Sequence, residues 1–231
     1  MITIILPVYN SIKYIKECLD SISKQTFTDW RLLIFDDGST DGTLEYLENW
    51  IKNEDRAILY KRNQSYISNL NEGIDLSDTK YIARMDADDI MYPERLQTQL
   101  DFMEAHTDID LVCSSVECIK EDGSSNGYFG AFFSEQIMDA SDLMFMNQIV
   151  HPSVLMRSES LKQNNIRYKE EFKYAEDWEM WTQMLEKRMK LLSLKTPLMK
   201  YRIVEKSMSR THQEEIRKLR GEILTRLNKL R

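Results

Sequence analysis

The sequence predicts an α/β protein, a mostly parallel central sheet flanked by helices and finished by a C-terminal helix. Three observations lead to that class. The first half alternates short β-rich apolar runs with segments of helical period, the pattern of parallel strands joined by crossover helices. Three of those apolar runs stop at residues able to bind a ligand, which is where open parallel sheets gather their ligands. The 231 residues, 42% of them apolar and 30% charged, are enough for one main domain with a substantial core.

Ile2 to Val8 is the first strand, because the run is apolar, short and β-branched. Ser11 to Lys24 follows with Ile15, Leu19 and Ile22 at helical spacing, and Asn10 or Ser11 is expected to cap its free amides. Arg31 to Phe35 is the second strand. It ends in the turn-rich run Asp36-Asp37-Gly38-Ser39-Thr40-Asp41-Gly42, whose Ser39 or Thr40 is expected to cap a helix carrying Leu44, Leu47 and Ile51. Ala57 to Tyr60 is a third strand, Asn69 to Leu76 a helix, and Tyr81 to Met85 a fourth strand that runs into an acidic cluster. Pro93 suits the first position of the next helix, with Leu96, Leu100 and Met103 on its inner face.

The second half is less regular. Leu111 to Ile119 is a strand, and the turn signal from Glu121 to Gly127 implies a hairpin or an excursion after it. His151-Pro152-Ser153 precedes a strand over Val154 to Arg157, and Asp177 to Lys187 is a helix with Trp178, Trp181 and Leu185 on one face. Leu191 to Leu194 and Met199 to Ile203 are two final strands. From Glu214 to Arg231 the chain is an amphipathic, basic helix with Ile216, Leu219, Ile223, Leu227 and Leu230 on one stripe.

A net charge of -7 argues against nucleic acid as a partner, since phosphate backbones are held by clustered cations. Three cysteines without CxxC spacing give neither a disulfide framework nor a zinc site, so a reducing, cytoplasmic setting is expected. The apolar start is short and lacks a basic flank, so it is read as a strand and not as a signal peptide or membrane span.

Three strand ends carry the chemistry. The first offers Pro7, Tyr9 and Asn10, the second Asp36 and Asp37, and the fourth Asp86, Asp88 and Asp89. Tyr9 is suited to stacking on a base, and a carboxylate such as Asp36 to accepting from a base imide or a ribose hydroxyl. The acids from Asp86 to Asp89 repel one another unless a cation neutralises them, and a hard divalent ion, Mn2+ or Mg2+, prefers such oxygen ligands and bridges them to phosphates. The plainer alternative is a solvated turn before a helix. Glu176-Asp177 opens the Trp-rich helix, where acids are favoured by the dipole in any case, yet a carboxylate there is also placed to take a proton from an attacking hydroxyl. Trp178 is either core or a sugar-stacking surface. His151 is a candidate for orienting an acceptor or touching phosphate, against the common structural role of a lone histidine. Arg202 is expected to be solvated at an edge strand or to meet a phosphate. The terminal helix is read first as packing, with an oligomer contact or an interface with anionic lipid as alternatives.

The runs ILPVYN, FDDGSTDGT, ARMDADDIMYPERL, HPSVLMR and YAEDWEMW stand in an order and at spacings that resemble the inverting glycosyltransferases of family 2, over almost the whole chain up to about Ser209. The match is closest to bacterial enzymes of surface-polysaccharide biosynthesis. The resemblance implies the GT-A fold with a Rossmann-like sheet, residues 1–210 forming one domain (1–105 the nucleotide-binding half, 106–210 the acceptor-binding half), and 211–231 a separate helix. It implies a metal-dependent, hexosyltransferase-like enzyme with a nucleotide-sugar donor, usually a UDP-sugar, and a saccharide or lipid-linked saccharide acceptor. Carried over by position, Pro7, Tyr9 and Asp36 contact the nucleoside with Asp37 in support. Asp86 and Asp88 form the DXD motif, Asp88 or Asp89 reaches the metal, and Asp177 of the Glu176-Asp177 pair is the general base. Asn10, His151 and Trp178 complete the expected substrate contacts.

Two departures stand out. Relatives often carry a histidine after the Tyr-Arg of the last strand, where this chain has Val204, which directs attention to His212 as a substitute ligand. The segment from Asn63 to Ile67 lacks the glycine that many relatives place near Ser65. The partners expected are therefore donor and acceptor, peripheral contact with the inner face of the cell membrane through the terminal helix, and a homodimer. Three rivals are weighed. A nucleotidyltransferase requires a Gly-rich basic loop that is missing, and a phospho-acceptor receiver domain requires a far shorter chain. A nucleotide-sugar-binding relative without turnover is the third.

Overall fold

The structure, a computed structural model, describes residues 1–130, 135–205 and 211–231. The expected boundary at residue 210 lies outside them. Strand β1 (Ile2–Val8) is buried along its whole length, as an apolar run covered on both faces must be. Its side chains alternate between two cores. Ile2, Ile4, Leu6 and Val8 join one, and Ile5 joins the other.

β1 pairs in parallel with β2 (Trp30–Asp36) on one side and β4 (Tyr81–Arg84) on the other, and β3 (Ala57–Lys61) extends the sheet in parallel beyond β2. The helices α1 (Ile15–Ser23), α2 (Thr43–Trp50) and α4 (Arg95–Ala105) place Ile15, Leu19, Ile22, Leu47, Leu96 and Met103 in the first core. Helix α3 (Tyr66–Leu76) places Ile67, Leu70 and Ile74 in the second. Gly73 is where α3 crosses β1 most closely: a Cβ there would lie 2.8 Å from the side chain of Ile5.

Beyond β4 the sheet is mixed. The order runs β3-β2-β1-β4, then β9 (Leu155–Arg157), β6 (Leu111–Ile119), β10 (Leu191–Arg202) and the short β5 (Ile90–Met91). β9 is antiparallel to both β4 and β6, β10 runs parallel to β6, and β5 is antiparallel to β10. The two expected final strands are one strand, whose register shifts around Pro197, a residue without the N–H a ladder needs. β7 (Ser125–Phe129) returns against β6 as the expected hairpin, and β8 (Gln136–Met138) flanks β10.

Helices α5 (Ala140–Phe145), α6 (Ser158–Gln163), α7 (Glu176–Glu186) and α8 (Gln213–Asn228) complete the chain. Helix α8 packs on the body, with Ile223 and Leu227 fully buried in the second core beside Met180, Trp181 and Met184 of α7, so the packing reading of this helix holds. Leu230, expected on the same stripe, is exposed. Two expected caps are not made. The α1 amide of Ile15 bonds the backbone oxygen of Ser11, while Asn10 uses its Oδ1 to accept from Thr40. At α2 it is Asp41 that accepts from Thr43, and Ser39 is spent on the amide of Asn10. Pro93 lies two residues before the first residue of α4.

Candidate active site

Because β1, β2 and β4 are parallel, the residues that follow them emerge at one edge of the sheet. There they border a cavity of about 1080 Å³. Pro7, Tyr9, Asn10 and Asp37 line it from the first two strands, Asp86 and Asp88 from the fourth, and His151, Glu176, Asp177 and Trp178 from the second half. Asp36 and Asp89 do not line it; both are 1% exposed.

The β2 end is a rigid turn. Asp36 Oδ2 accepts from the amides of Gly38 and Ser39, and Gly38 supplies the positive φ of 83° that the turn requires. Asp36 Oδ1 is buried without a partner. Asp37 Oδ1 accepts from the Gln64 amide at 2.8 Å, tying this turn to the segment before α3. Tyr9 stands 62% exposed, a ring face open to a ligand.

The acidic cluster is tightly drawn. Carboxylate oxygens of Asp86, Asp88 and Asp89 lie within 4.8 Å of one another. Burial, followed by the charge of Asp86, pushes the Asp88 carboxyl up to about 6; burial followed by Asp88 and Asp86 pushes Asp89 well above the ordinary carboxylate range. Asp89 Oδ1 accepts from the Arg202 amide at 2.7 Å, and its Oδ2 is buried without a partner. An all-oxygen set, crowded, largely desolvated and short of donors, fits a hard divalent cation.

Three arginines surround this cluster, and the sequence reading passed over two of them. Arg84, 3% exposed, forms an ion pair with Asp86 and donates to the Tyr66 hydroxyl, while its Nε and Nη1 are buried without partners. Burial pulls its pKa down, but Asp86 and Tyr66 outweigh that and hold it charged. Arg95 of α4 is fully buried, donating from Nη2 to the Arg84 and Val154 carbonyls; burial lowers its pKa to about 9. Arg202 is neither solvated nor at an open edge. It is 4% exposed, with Nε donating to the Asp88 carbonyl at 2.8 Å, Nη2 bonded to Glu17, and the guanidinium over the Tyr14 ring. It therefore pins the acidic loop by its backbone.

The opposite wall is the start of α7. Asp177 Oδ1 accepts from the Trp178 amide at 2.6 Å and Oδ2 from Asn147 Nδ2 at 2.8 Å. Burial still raises the Asp177 pKa above its ordinary value against those hydrogen bonds. Burial and the neighbouring Asp177 raise Glu176 to about 7, and Glu176 Oε2 is buried without a partner. Asn147 is a site residue the sequence reading did not name; its only signal is its place four residues before His151.

His151 is 8% exposed, its Nε2 sharing a hydrogen bond with the Tyr168 hydroxyl at 2.8 Å, and burial lowers its pKa well below 6.5, so the ring is neutral. Trp178 is 7% exposed and donates from Nε1 to the Leu143 carbonyl, which makes it a wall residue anchored in the core. Val204 lines the cavity, and the His212 ring packs on Tyr174, another lining residue, with centroids 3.8 Å apart. Ile216 of α8 also lines the cavity, so the terminal helix closes one side of the site.

Comparison with known proteins places this arrangement. The family model described as glycosyl transferase family 2 matches residues 3–187. An uncharacterized glycosyltransferase of Haemophilus influenzae is 29% identical over 224 residues, covering 93% of this chain and 69% of its own. The putative glycosyltransferase EpsE of Bacillus subtilis is 27% identical, covering 87% of this chain and 72% of its own. The crystal structure of S. aureus TarS in complex with UDP-GlcNAc superposes with a TM-score of 0.80 at 21% identity, over 97% of this chain and 66% of that one. This chain thus spans about two thirds of the length of the TarS structure. No helix among the described residues is long and apolar enough to cross a membrane. With the family model over most of its length and the GT-A-like α/β architecture behind it, the chain belongs to glycosyl transferase family 2.

Proposed function

We propose that this protein is an inverting glycosyltransferase that moves a sugar from a UDP-sugar to a hydroxyl of a growing surface polysaccharide. The observation that carries the proposal is that strand-end residues Pro7, Tyr9, Asp86 and Asp88 line the same cavity as Asp177. TarS, whose fold this chain shares, was crystallised with UDP and with UDP-GlcNAc, which supports a UDP-sugar as donor.

The nucleoside end lies along Pro7 and Tyr9, with the uracil stacked on Tyr9 and Asp36 holding the turn behind it through the Gly38 and Ser39 amides. Asp37 and Asn10 keep that loop in place through their bonds to Gln64 and Thr40. The acids Asp86, Asp88 and Asp89 would hold a divalent ion, Mn2+ or Mg2+, and that ion would offset the charge that grows on the departing diphosphate. Arg202 keeps Asp88 and Asp89 in register for this role. Asp177 accepts the proton of the acceptor hydroxyl as its oxygen bonds to the anomeric carbon. The bond from that carbon to the diphosphate oxygen breaks on the opposite face, its electron pair leaves with UDP, and one in-line attack inverts the configuration. Buried His151 and Trp178 shape the acceptor wall.

The test is the Asp177→Asn variant. It keeps the shape and the Trp178 amide contact but cannot take the proton, so UDP should bind as in the wild type while sugar transfer falls by at least about a hundredfold. Retained transfer would reject the base assignment. A screen of nucleotide sugars by thermal shift identifies the donor, since a ligand that binds only the folded state raises its melting temperature. Nucleotide binding with no turnover in the wild type would instead favour a binding-only relative.

A further inference from the structure

The apolar stripe of α8 is taken up by the body of the protein, with Ile223 and Leu227 fully buried, so the helix has no apolar face left to insert into a bilayer. Its outward side is charged, and unevenly so. Arg217, Arg220 and Leu224 follow at steps of three and four residues and share one side, while Glu215 and Glu222 fall on the opposite side. Arg220 donates from Nη2 to the Phe145 carbonyl at 3.4 Å, which sets that basic side against the end of α5. There Phe145 is 78% exposed and Met146 40%. One exposed apolar side chain needs no explanation, but two adjacent ones beside arginines form a surface both apolar and cationic. That surface is the lip of the cavity: Met146 precedes Asn147 and Arg217 follows Ile216, and both Asn147 and Ile216 line the cavity. Exposed Lys173 lines it too. Among the described residues, Lys173, Arg217 and Arg220 pair with no acid, whereas Lys218 and Arg226 are tied to Glu214, Glu179 and Glu186. The acids of α5, Asp139 and Asp142, stand at its other end and are engaged in its capping box.

We propose that this lip docks on an anionic lipid bilayer, with Phe145 and Met146 entering the boundary between headgroups and acyl chains and Lys173, Arg217 and Arg220 meeting the lipid phosphates. Apolar insertion or a few cations alone give weak, reversible binding, and the two together reinforce each other. Charge complementarity picks the occupant. Between Gln213 and Arg231 the chain carries six Lys and Arg against three Glu, in a protein whose net charge is -7. The rest of the molecule is repelled by an anionic surface, so the basic lip is the part that faces it. A second copy of the chain fits less well, because a two-fold contact at this lip sets Arg217 and Arg220 against their own counterparts. The inference does not depend on the glycosyl-transfer reading. Combined with it, the side of the cavity lined by Ile216 and Trp178 stands next to the bilayer.

The experiment is sedimentation of the full chain with extruded vesicles of phosphatidylcholine, with and without phosphatidylglycerol. Thermal melting establishes that each variant is folded. The wild type should bind the anionic vesicles at least about tenfold more tightly than the neutral ones. Most of that preference should vanish at about 0.5 M salt, where screening shortens the reach of the charges. Phe145→Ser combined with Met146→Ser, and separately Arg217→Glu, should each weaken binding about fivefold or more; none of these residues lines the cavity. Lys229 lies five residues beyond Leu224 and so is turned well away from the basic side. Lys229→Glu makes the same change of charge there and should stay within about twofold of wild type. No binding to anionic vesicles, equal binding to both kinds, or equal losses in Arg217→Glu and Lys229→Glu would overturn the proposal. Self-association without vesicle binding, abolished by the same lip substitutions, would overturn it in favour of a second copy.

Discussion

A buried arginine holds the two halves of the site in electrostatic balance. Arg84 lies next to Asp86 in the acidic cluster and also lowers the pKa of Glu176 and Asp177 across the cavity. A carboxylate proposed as base must be ionised to accept a proton, so on that proposal activity should be full above the pKa of the Glu176–Asp177 pair and lost as pH falls through it. With Glu176 raised to about 7, the acid limb of the kcat/KM profile should lie near neutrality, well above an ordinary carboxylate, and it belongs to the pair, not to one residue. Replacing Arg84 with Met removes a cation that favours the ionised acids, so that limb should move to higher pH. The same change strands Asp86 and should cost about 3–5 kcal/mol in denaturant unfolding. An acid limb near 4 in the wild type would contradict the burial of this pair. At this scale the position of the acids was legible, because an acid after a strand or at a helix start is visible in one dimension; Asp37, Asp86, Asp88, Glu176 and Asp177 do line the cavity, while Asp36 and Asp89 are buried behind it. Arg84, Arg95 and Asn147 were missed for the opposite reason: their roles come from partners far along the chain, and nothing local separates a buried arginine from a solvated one.

The elements that carry these residues are held by contacts with clear steric consequences. Helix α3 presses so closely on β1 at Gly73 that Ala there must displace Ile5, and Gly73→Ala should destabilise the protein by about 1–3 kcal/mol despite the better helix propensity of alanine. Urea unfolding decides the sign. Helix α8 is fastened by Ile223 and Leu227, both fully buried, so Leu227→Ala should cost about 2–5 kcal/mol. Because Ile216 of the same helix lines the cavity, the variant should also weaken donor or acceptor binding; unchanged binding in a destabilised variant would show that the inner face of α8 serves packing alone. Long periodic elements were readable: β1 and β6 run over the residues expected of them. The two-residue β5 and three-residue β8 are too short to show a period. Helix α5 did leave a signal, the Asp139–Asp142 capping box, in which Asp142 takes the place usually held by Glu or Gln.

At the scale of the molecule, one parallel half gathers the strand ends that line the cavity, and one mixed half folds back to bring α7 and Asp177 against them. The parallel half was visible as alternating runs. The mixed half was not, because the antiparallel pairing of β9 with β4 joins residues more than seventy positions apart, and no local pattern encodes that choice. Net charge of -7 goes with an acidic cluster of Asp86, Asp88 and Asp89 at one edge of the sheet, with Arg84, Arg95 and Arg202 packed around it. The account stands on that edge being a nucleoside diphosphate site. Calorimetric titration of the wild-type chain with UDP, with and without Mn2+, tests it most directly. The prediction is saturable one-to-one binding that tightens with the metal and is lost in Asp36→Ala; no heat from UDP under either condition would contradict the account.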